Sequence, residues 1–289
     1  MFKVPDHQVA GHVAGVGKLG PLVDDSGRFY KPLQDGKRGT EEVSFYESFT
    51  SNTKIPENIR KFFPIFYGTK IMKASTGTEH PHIVLQDLVS SRVSPSVMDI
   101  KIGSRTWAPE ATEAYITKCL KKDRESTSVS VGYRLSGLRV FINDESGFYK
   151  PERDIMRKAG PDDVKLFLMK FVSSNPESEP DCSLAGSVYG GLNGILSQLL
   201  ELKAWFEDQT MYHFYACSLL FMFEKGSALK GATTNAQVKL IDFAHVTEGK
   251  GVIDHNFLGG LCSLIKFISD IIPDKNHHEN GQIEPQTAD

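Results

Sequence analysis

The sequence predicts an α+β fold. Strand-like pieces broken by glycines crowd the first third, from Val9 to Leu33 and again at Ile83–Leu85. Apolar residues at helical spacing follow, at Val164–Val172 and from Leu192 to Phe206, with further strand-like runs between and after them. At 289 residues and 40% hydrophobic content the chain can bury a sizeable core, and its length permits one large domain or two lobes.

Asp24-Asp25-Ser26-Gly27 between Leu22-Val23 and Phe29-Tyr30 is a hairpin signal, so an N-terminal β-meander is expected over Val9–Leu33. Gly15-Val16-Gly17-Lys18-Leu19-Gly20 matches the dinucleotide template Gly-x-Gly-x-x-Gly. Pro21 and a hairpin follow where that site needs a helix, which removes the reading. A glycine-rich hairpin could still cover nucleotide phosphates. Lys31 stands at a strand end, and Glu42 lies in a stretch with helical spacing between Val43 and Tyr46, with Arg38 in the loop before it. Phe62–Tyr67 is an aromatic patch, Lys73–His80 a polar loop and Ile83–Leu85 an apolar strand, closed by Gln86-Asp87-Leu88.

Pro95–Gly103 places a carboxylate and an ammonium two apart in an apolar run. On a strand Asp99 and Lys101 point to one face while Val97 alternates with Met98, Ile100 and Ile102. Pro95 suits the strand's start and Gly103 a turn or close approach at its end. A surface ion pair on an edge strand is the plain alternative. A helix over 109–123 should follow, with Glu110 and Glu113 in its first turn and Lys118, Lys121 and Lys122 at its end, a layout that complements the helix dipole. Lys118 and Lys122, at i and i+4, share a face and could hold two phosphates, with Lys121 alongside.

Ser130–Ile142 reads as a strand interrupted by Gly137, Ser173–Ser183 as a polar loop, and Met211–Glu224 as one strand. Lys225–Ala236 is a loop of small residues, Val238–Phe243 a strand, Phe257–Ile272 a closing helix, and Pro273–Asp289 a polar tail expected to be disordered. Asp242 sits at the exit of a buried strand, a costly place for a carboxylate that is not exposed, hydrogen-bonded or on a metal.

Pro95, Asp99, Lys101 and Gly103 complete the pattern Pro-x-x-x-Asp-x-Lys-x-Gly. With His7–His12, Ser218-Leu219-Leu220 and Ile241–His245 in the right order, the chain resembles the inositol polyphosphate kinase family over nearly its whole length, above all its multikinase branch in the short plant form. The resemblance implies a two-lobed, protein-kinase-like fold: an N-lobe over 1–88 ending at a hinge, and a C-lobe over 89–272 carrying an inositol-phosphate helix at 109–123. It implies ATP and Mg2+ as cofactors. Lys31 would contact the ATP phosphates with Glu42 orienting it, backbone groups of Gln86 and Leu88 would meet adenine, and Asp99 the ribose hydroxyls. Asp242 would hold the metal, as does the aspartate of Asp-Phe-Gly in protein kinases, with Ala244 where those enzymes have glycine. Lys101 falls between γ-phosphate and acceptor, while Arg38, Lys101, Lys118, Lys121, Lys122 and His245 fall to the inositol phosphate.

The activity so implied is ATP-dependent, sequential phosphorylation of inositol 1,4,5-trisphosphate to tetrakis- and pentakisphosphate, of 6-/3-kinase type. A trisphosphate 3-kinase, a hexakisphosphate kinase and a non-catalytic scaffold in transcription complexes are the alternatives. The stretch between Trp107 and Val131 lacks the larger helical insert of the first, and Lys31, Asp99, Lys101 and Asp242 are all present, which disfavours the scaffold. No His-Arg-Asp catalytic loop marks a protein kinase, and no general base is evident.

Composition bounds the partners. A net charge of −3 supplies no global positive field, so a polyphosphate site must be a local cluster of Lys and Arg, and direct nucleic-acid binding is not expected. Cys119, Cys182, Cys217 and Cys262 form no Cys-x-x-Cys, which argues against a zinc site and fits a reducing compartment. Met1–His12 has no apolar signal region and no run reaches the ~20 apolar residues of a membrane span, so nucleus and cytoplasm are the expected locations.

Overall fold

Asp24 organises the first turn. Its Oδ1 accepts from the Ser26 and Arg28 amides, and its Oδ2 accepts from the Tyr30 hydroxyl at 2.7 Å. This hairpin joins β1 (Leu22–Val23) to β2 (Arg28–Pro32), as the Asp-Asp-Ser-Gly turn predicts. The structure is a computed structural model and describes residues 1–6, 8–9, 19–231 and 233–273. Most of His7–His12 and of the glycine-rich run 15–20, and the tail expected to be disordered apart from Pro273, lie outside the described residues.

Helix α1 (Lys37–Ser51) and the short α2 (Glu57–Arg60) precede β3 (Phe66–Lys73) and β4 (Glu79–Gln86). The four strands form an antiparallel sheet in the order β1-β2-β4-β3. Arg38, expected in a loop, lies in the first turn of α1, because the helix starts six residues before the apolar spacing that begins at Val43.

Strand β5 (Pro95–Ile102) leads to α3 (Glu113–Glu125), α4 (Ser128–Val131), β6 (Tyr133–Asn143) and β7 (Gly147–Tyr149). Helices α5 (Arg153–Arg157), α6 (Pro161–Phe171), α7 (Ala185–Val188) and α8 (Ile195–Asp208) follow. The chain continues through β8 (Tyr212–Phe214), β9 (Ser218–Glu224), α9 (Lys225–Leu229), β10 (Gln237–Ile241), β11 (Val246–Glu248) and α10 (His255–Ser269). A five-stranded antiparallel sheet runs β10-β9-β5-β6-β7, and β8 pairs with β11.

β5 is the middle strand, and both its faces are buried. Met98, Ile100 and Ile102 enter the main core, while Val97 packs with Leu220 and Met222 on the other face. Opposite Asp99 and Ile100 the register jumps from Gly137 to Leu135, so the expected interruption of the neighbouring strand at Gly137 is a β-bulge. Gly103 has φ +111, and a Cβ there would meet Asn256 Nδ2 at 2.6 Å. Asn256 clamps this turn from α10: its Oδ1 accepts from the Arg105 amide and its Nδ2 donates to the Arg105 carbonyl.

Further sequence expectations need correction: Ser130 and Val131, expected in a strand, belong to α4, and β6 begins at Tyr133. The helix after β5 begins at Glu113, not Pro109, because the Thr112 hydroxyl caps it by accepting from the Tyr115 amide. The run Met211–Glu224 is two strands in two sheets, broken at Ala216, whose φ is +54. The Lys225–Ala236 loop opens with the short helix α9.

Asp123 fixes the C-terminal end of α3. Its carboxylate accepts from the Thr106 amide and hydroxyl and from Arg134 Nη1 at 2.7 Å, tying α3 to the exit of β5 and to β6. Asp123 is 1% and Arg134 15% exposed at the side chain, so removing the carboxylate leaves a guanidinium poorly solvated and unpaired. Asp123→Ala should cost about 3–5 kcal/mol of stability in urea unfolding. Lys121→Ala, which breaks an exposed 3.9 Å contact to Glu125, should cost under about 1 kcal/mol.

Candidate active site

Lys31 is delivered by β2, Glu42 by α1 and Asp242 by the turn after β10. The Lys31 ammonium donates to Glu42 Oε1 and to Asp242 Oδ1, both at 2.8 Å. Glu42 is 2% exposed and also accepts from the Phe243 amide at 3.3 Å. Burial opposes charge on Lys31, yet the two carboxylates overcome it and raise its pKa, so it is an ammonium at any working pH. Burial likewise acts to raise the Asp242 pKa, and the charges of Lys31 and Lys101 outweigh it, bringing the group to about 2.

Asp242 has φ +67, a left-handed conformation costly for a non-glycine residue. Phe243 holds it there. The Phe243 ring lies 4.5 Å from Phe45, 5.3 Å from Tyr46 and 5.4 Å from Phe63, so an aromatic cluster spanning α1 and the larger sheet's side anchors the residue next to the carboxylate. The Asp242 side chain remains 44% exposed, with Oδ1 on Lys31 and Oδ2 free of any protein hydrogen bond among the described residues.

Asp99 and Lys101 occupy one face of β5, as their spacing predicts, but β5 is a central strand and not an edge. Asp99 is 4% exposed and lies beside the hydroxyl of Ser218 on the adjoining strand, whose hydrogen bonding acts to lower its pKa. Burial raises the Asp99 pKa to about 6 against the pull of Lys101, and Asp242 adds to the rise. Lys101 Nζ donates to the Ala216 carbonyl at 2.5 Å, where the positive φ of Ala216 turns the backbone. Its charge acts on Asp99, Asp242 and His245 alike.

On the other side of Asp242 a second cluster forms. The Tyr115 hydroxyl and His245 Nε2 are 3.0 Å apart, with ring centroids at 5.3 Å, and the Arg38 guanidinium lies over the Tyr115 ring at 4.9 Å. Tyr115, Lys118 and Lys122 stand at i, i+3 and i+7 on α3, one helical row beside the buried Cys119 and Asp123. Lys118 and Lys122 are exposed and make no ion pair among the described residues. Lys121, expected alongside them, is turned off this row and faces Glu125.

Gln86 and Leu88 lie where the chain leaves β4 for β5, lining with Arg92, Glu224, Asn235 and Gln237 a depression of about 280 Å3. The Gln86 amide is taken by the Ile65 carbonyl at 2.8 Å and the Leu88 carbonyl by Arg92 Nε at 3.2 Å.

The structure thus joins Lys31, Glu42, Asp242, Lys101 and Asp99 in one group and Arg38 and His245 in a second, with Lys118 and Lys122 continuing the second along α3. Sequence reasoning missed Tyr115, Asp123 and Asn256. Tyr115 had a signal, since it shares the helical row of the two lysines; Asp123 and Asn256 had none, because their partners are far away in the chain.

A two-lobed α+β fold with a Lys–Glu–Asp cluster between the sheets defines a phosphotransferase of protein-kinase-like architecture. Residues 82–269 match the inositol polyphosphate kinase family model, and the chain belongs to that family. Inositol polyphosphate multikinase beta of Arabidopsis thaliana is 55% identical over 96% of this chain and 96% of its own length. The alpha form of the same plant is 57% identical over 95% of this chain and 98% of its own. A solved inositol phosphate multikinase, 54% identical, superposes with a TM-score of 0.71 over 80% of this chain and 99% of its own. The multikinase of S. cerevisiae, solved with ADP and Mn2+, shares the fold at 18% identity and a TM-score of 0.63.

The buried Asp99 carboxylate carries a stability cost with a defined pH window. Its folded pKa, about 6, exceeds the ordinary 3.8, so the cost is absent below pH 3.8, grows between the two values and is constant above about 6. Asp99→Asn should therefore be the more stable protein at pH 8, by on the order of 1 kcal/mol, with the gap closing at pH 4. Urea midpoints at the two pH values measure it.

Proposed function

We propose that the protein is an ATP-dependent inositol polyphosphate multikinase that phosphorylates inositol 1,4,5-trisphosphate and then its tetrakisphosphate product. The observation that carries this is Lys31 held at 2.8 Å from both Glu42 and Asp242, the arrangement a kinase uses on nucleotide phosphates, in a chain whose 55–57% identical relatives are multikinases. ATP lies against the Gln86–Leu88 crossing, with its ribose on Asp99 and its phosphates on Lys31.

The residues fit one hard divalent cation, which Asp242 would hold. Asp242 is anionic, half-exposed and has one free oxygen, and among the described residues no group of three metal-ligating side chains exists that would form an all-protein cage. Mg2+ suits such a site, being held by few carboxylates together with phosphates and water. When bound it would neutralise charge on the transferring phosphoryl group. Lys101, whose charge acts on Asp99, Asp242 and His245, lies where it can align the γ-phosphate with the acceptor hydroxyl. Phosphoryl transfer passes through a loose transition state in most analyses, so placement and charge supply most of the rate.

The acceptor side explains breadth. A trisphosphate carries on the order of −5 charges, and the chain meets it with Arg38, Lys101 and the exposed row of Lys118 and Lys122. Flexible lysine point charges accept several phosphate placements, as two successive phosphorylations of one ring require.

Incubation with ATP, Mg2+ and inositol 1,4,5-trisphosphate should give tetrakis- and then pentakisphosphate, resolved by isomer; a clean stop at one tetrakisphosphate contradicts the proposal. Asp242→Asn should fold normally and lose at least about a hundredfold in kcat, because an amide is a poor ligand for a hard cation. Lys118→Ala with Lys122→Ala should raise KM for both inositol phosphates and flatten its dependence on salt, since fewer screened charge pairs remain.

A further inference from the structure

The Tyr115–His245 contact decides what His245 can offer a ligand. Phenol is the stronger acid of the pair and a free imidazole nitrogen the stronger base, so the 3.0 Å contact is satisfied best by O–H of Tyr115 donating to Nε2 of His245. A neutral imidazole carries one N–H, and with Nε2 accepting, that proton is on Nδ1. His245 is part-buried, and its Nδ1 has no hydrogen-bond partner among the described residues.

We propose that Tyr115 is a positioning residue that fixes the Nδ1–H tautomer of His245, so that His245 meets the inositol phosphate as a neutral hydrogen-bond donor and not as a base. This rests on the kinase reading of the site. Two surroundings support it. Arg38 over the Tyr115 ring restrains that ring from the α1 side while the backbone of α3 carries it, so the hydroxyl has a defined direction. Burial, with the charges of Arg38 and Lys101, lowers the His245 pKa to about 4 against the opposing pull of Asp242, which keeps the ring neutral at working pH. Tyr115 itself is pushed up to about 12, by burial first and then by a side-chain hydrogen bond with Cys119, so its proton stays on the oxygen; thiol sulfur is the weaker acceptor of the two and leaves the imidazole nitrogen as the favoured one.

The consequence for chemistry is specific. The one lone pair of the neutral ring is occupied by Tyr115, and its free edge carries a hydrogen. His245 therefore cannot take the proton of the acceptor hydroxyl. It contributes a directional N–H beside the point charges of Lys118 and Lys122, adding orientation where lysines supply only attraction.

The test has a readout that needs no turnover. In histidine-selective 15N NMR of the free protein, His245, assigned by its loss in His245→Asn, should show a protonated Nδ1 and an unprotonated, hydrogen-bonded Nε2. Tyr115→Phe keeps the ring and its stacking with Arg38 and removes only the hydroxyl; it should release the ring to a mixture of tautomers and raise KM for inositol trisphosphate about tenfold, with KM for ATP unchanged. His245→Asn, whose amide places a donor near the Nδ1 position, should keep KM for the inositol phosphate within about threefold of wild type, whereas His245→Gln, which places it near Nε2, should lose about tenfold. A protonated Nε2 in the wild type, a tautomer unmoved by Tyr115→Phe, or equal effects of the Asn and Gln variants overturns the proposal. Wild-type protein that phosphorylates no inositol phosphate while showing the Nδ1–H tautomer overturns the kinase reading instead.

Discussion

The structure depends on one ammonium held between two carboxylates. Lys31 comes from the four-stranded sheet, Glu42 from the helix that follows it, and Asp242 from the far end of the chain, and all meet at 2.8 Å. A buried carboxylate such as Glu42 is tolerable only while it is paired and hydrogen-bonded, and Lys31 with the Phe243 amide supplies both. The same contacts therefore hold the site's geometry and the two sheets' relation. Phe243 adds the apolar half of that anchorage by setting its ring among Phe45, Tyr46 and Phe63.

Around this pair the charges are sorted by burial. Asp99 and Asp242 both sit near Lys101, yet burial lifts the first to about 6 while the ammonium groups hold the second near 2. One carboxylate is thus anionic at any working pH, as the proposed cation ligand must be; the other is a poorly solvated acceptor. On the acceptor side Lys118 and Lys122 are exposed and make no ion pair among the described residues, so a chain with a net charge of −3 still presents a local positive face. Cost gathers at the candidate site: a strained φ at Asp242 and a buried carboxylate at Asp99.

Much of the architecture was legible in the residues. The hairpin at Asp24–Gly27, the strand Pro95–Ile102 with Asp99 and Lys101 on one face, and helices α6, α8 and α10 follow from turn chemistry and periodicity. The break inside Met211–Glu224 was not, because the apolar run is continuous and an alanine at φ +54 leaves no trace in sequence. The start of α3 went to Pro109 since a proline with acids after it looks like a first turn, whereas a threonine hydroxyl three residues on makes the cap. Within the site, Lys31, Glu42 and Asp242 were named from family resemblance, since nothing local connects residues so far apart in the chain. Tyr115 was passed over because periodicity reports which face a side chain takes, not what its hydroxyl meets.

The most direct test of the Lys31 bridge is a double-mutant cycle on ATP affinity with Lys31→Met and Glu42→Gln, the glutamine keeping an oxygen for the Phe243 amide. If Glu42 acts on the nucleotide only by holding Lys31, each single change weakens ATP binding and the double variant binds no more weakly than Lys31→Met alone. Losses that add, as for two independent sites, would contradict the account.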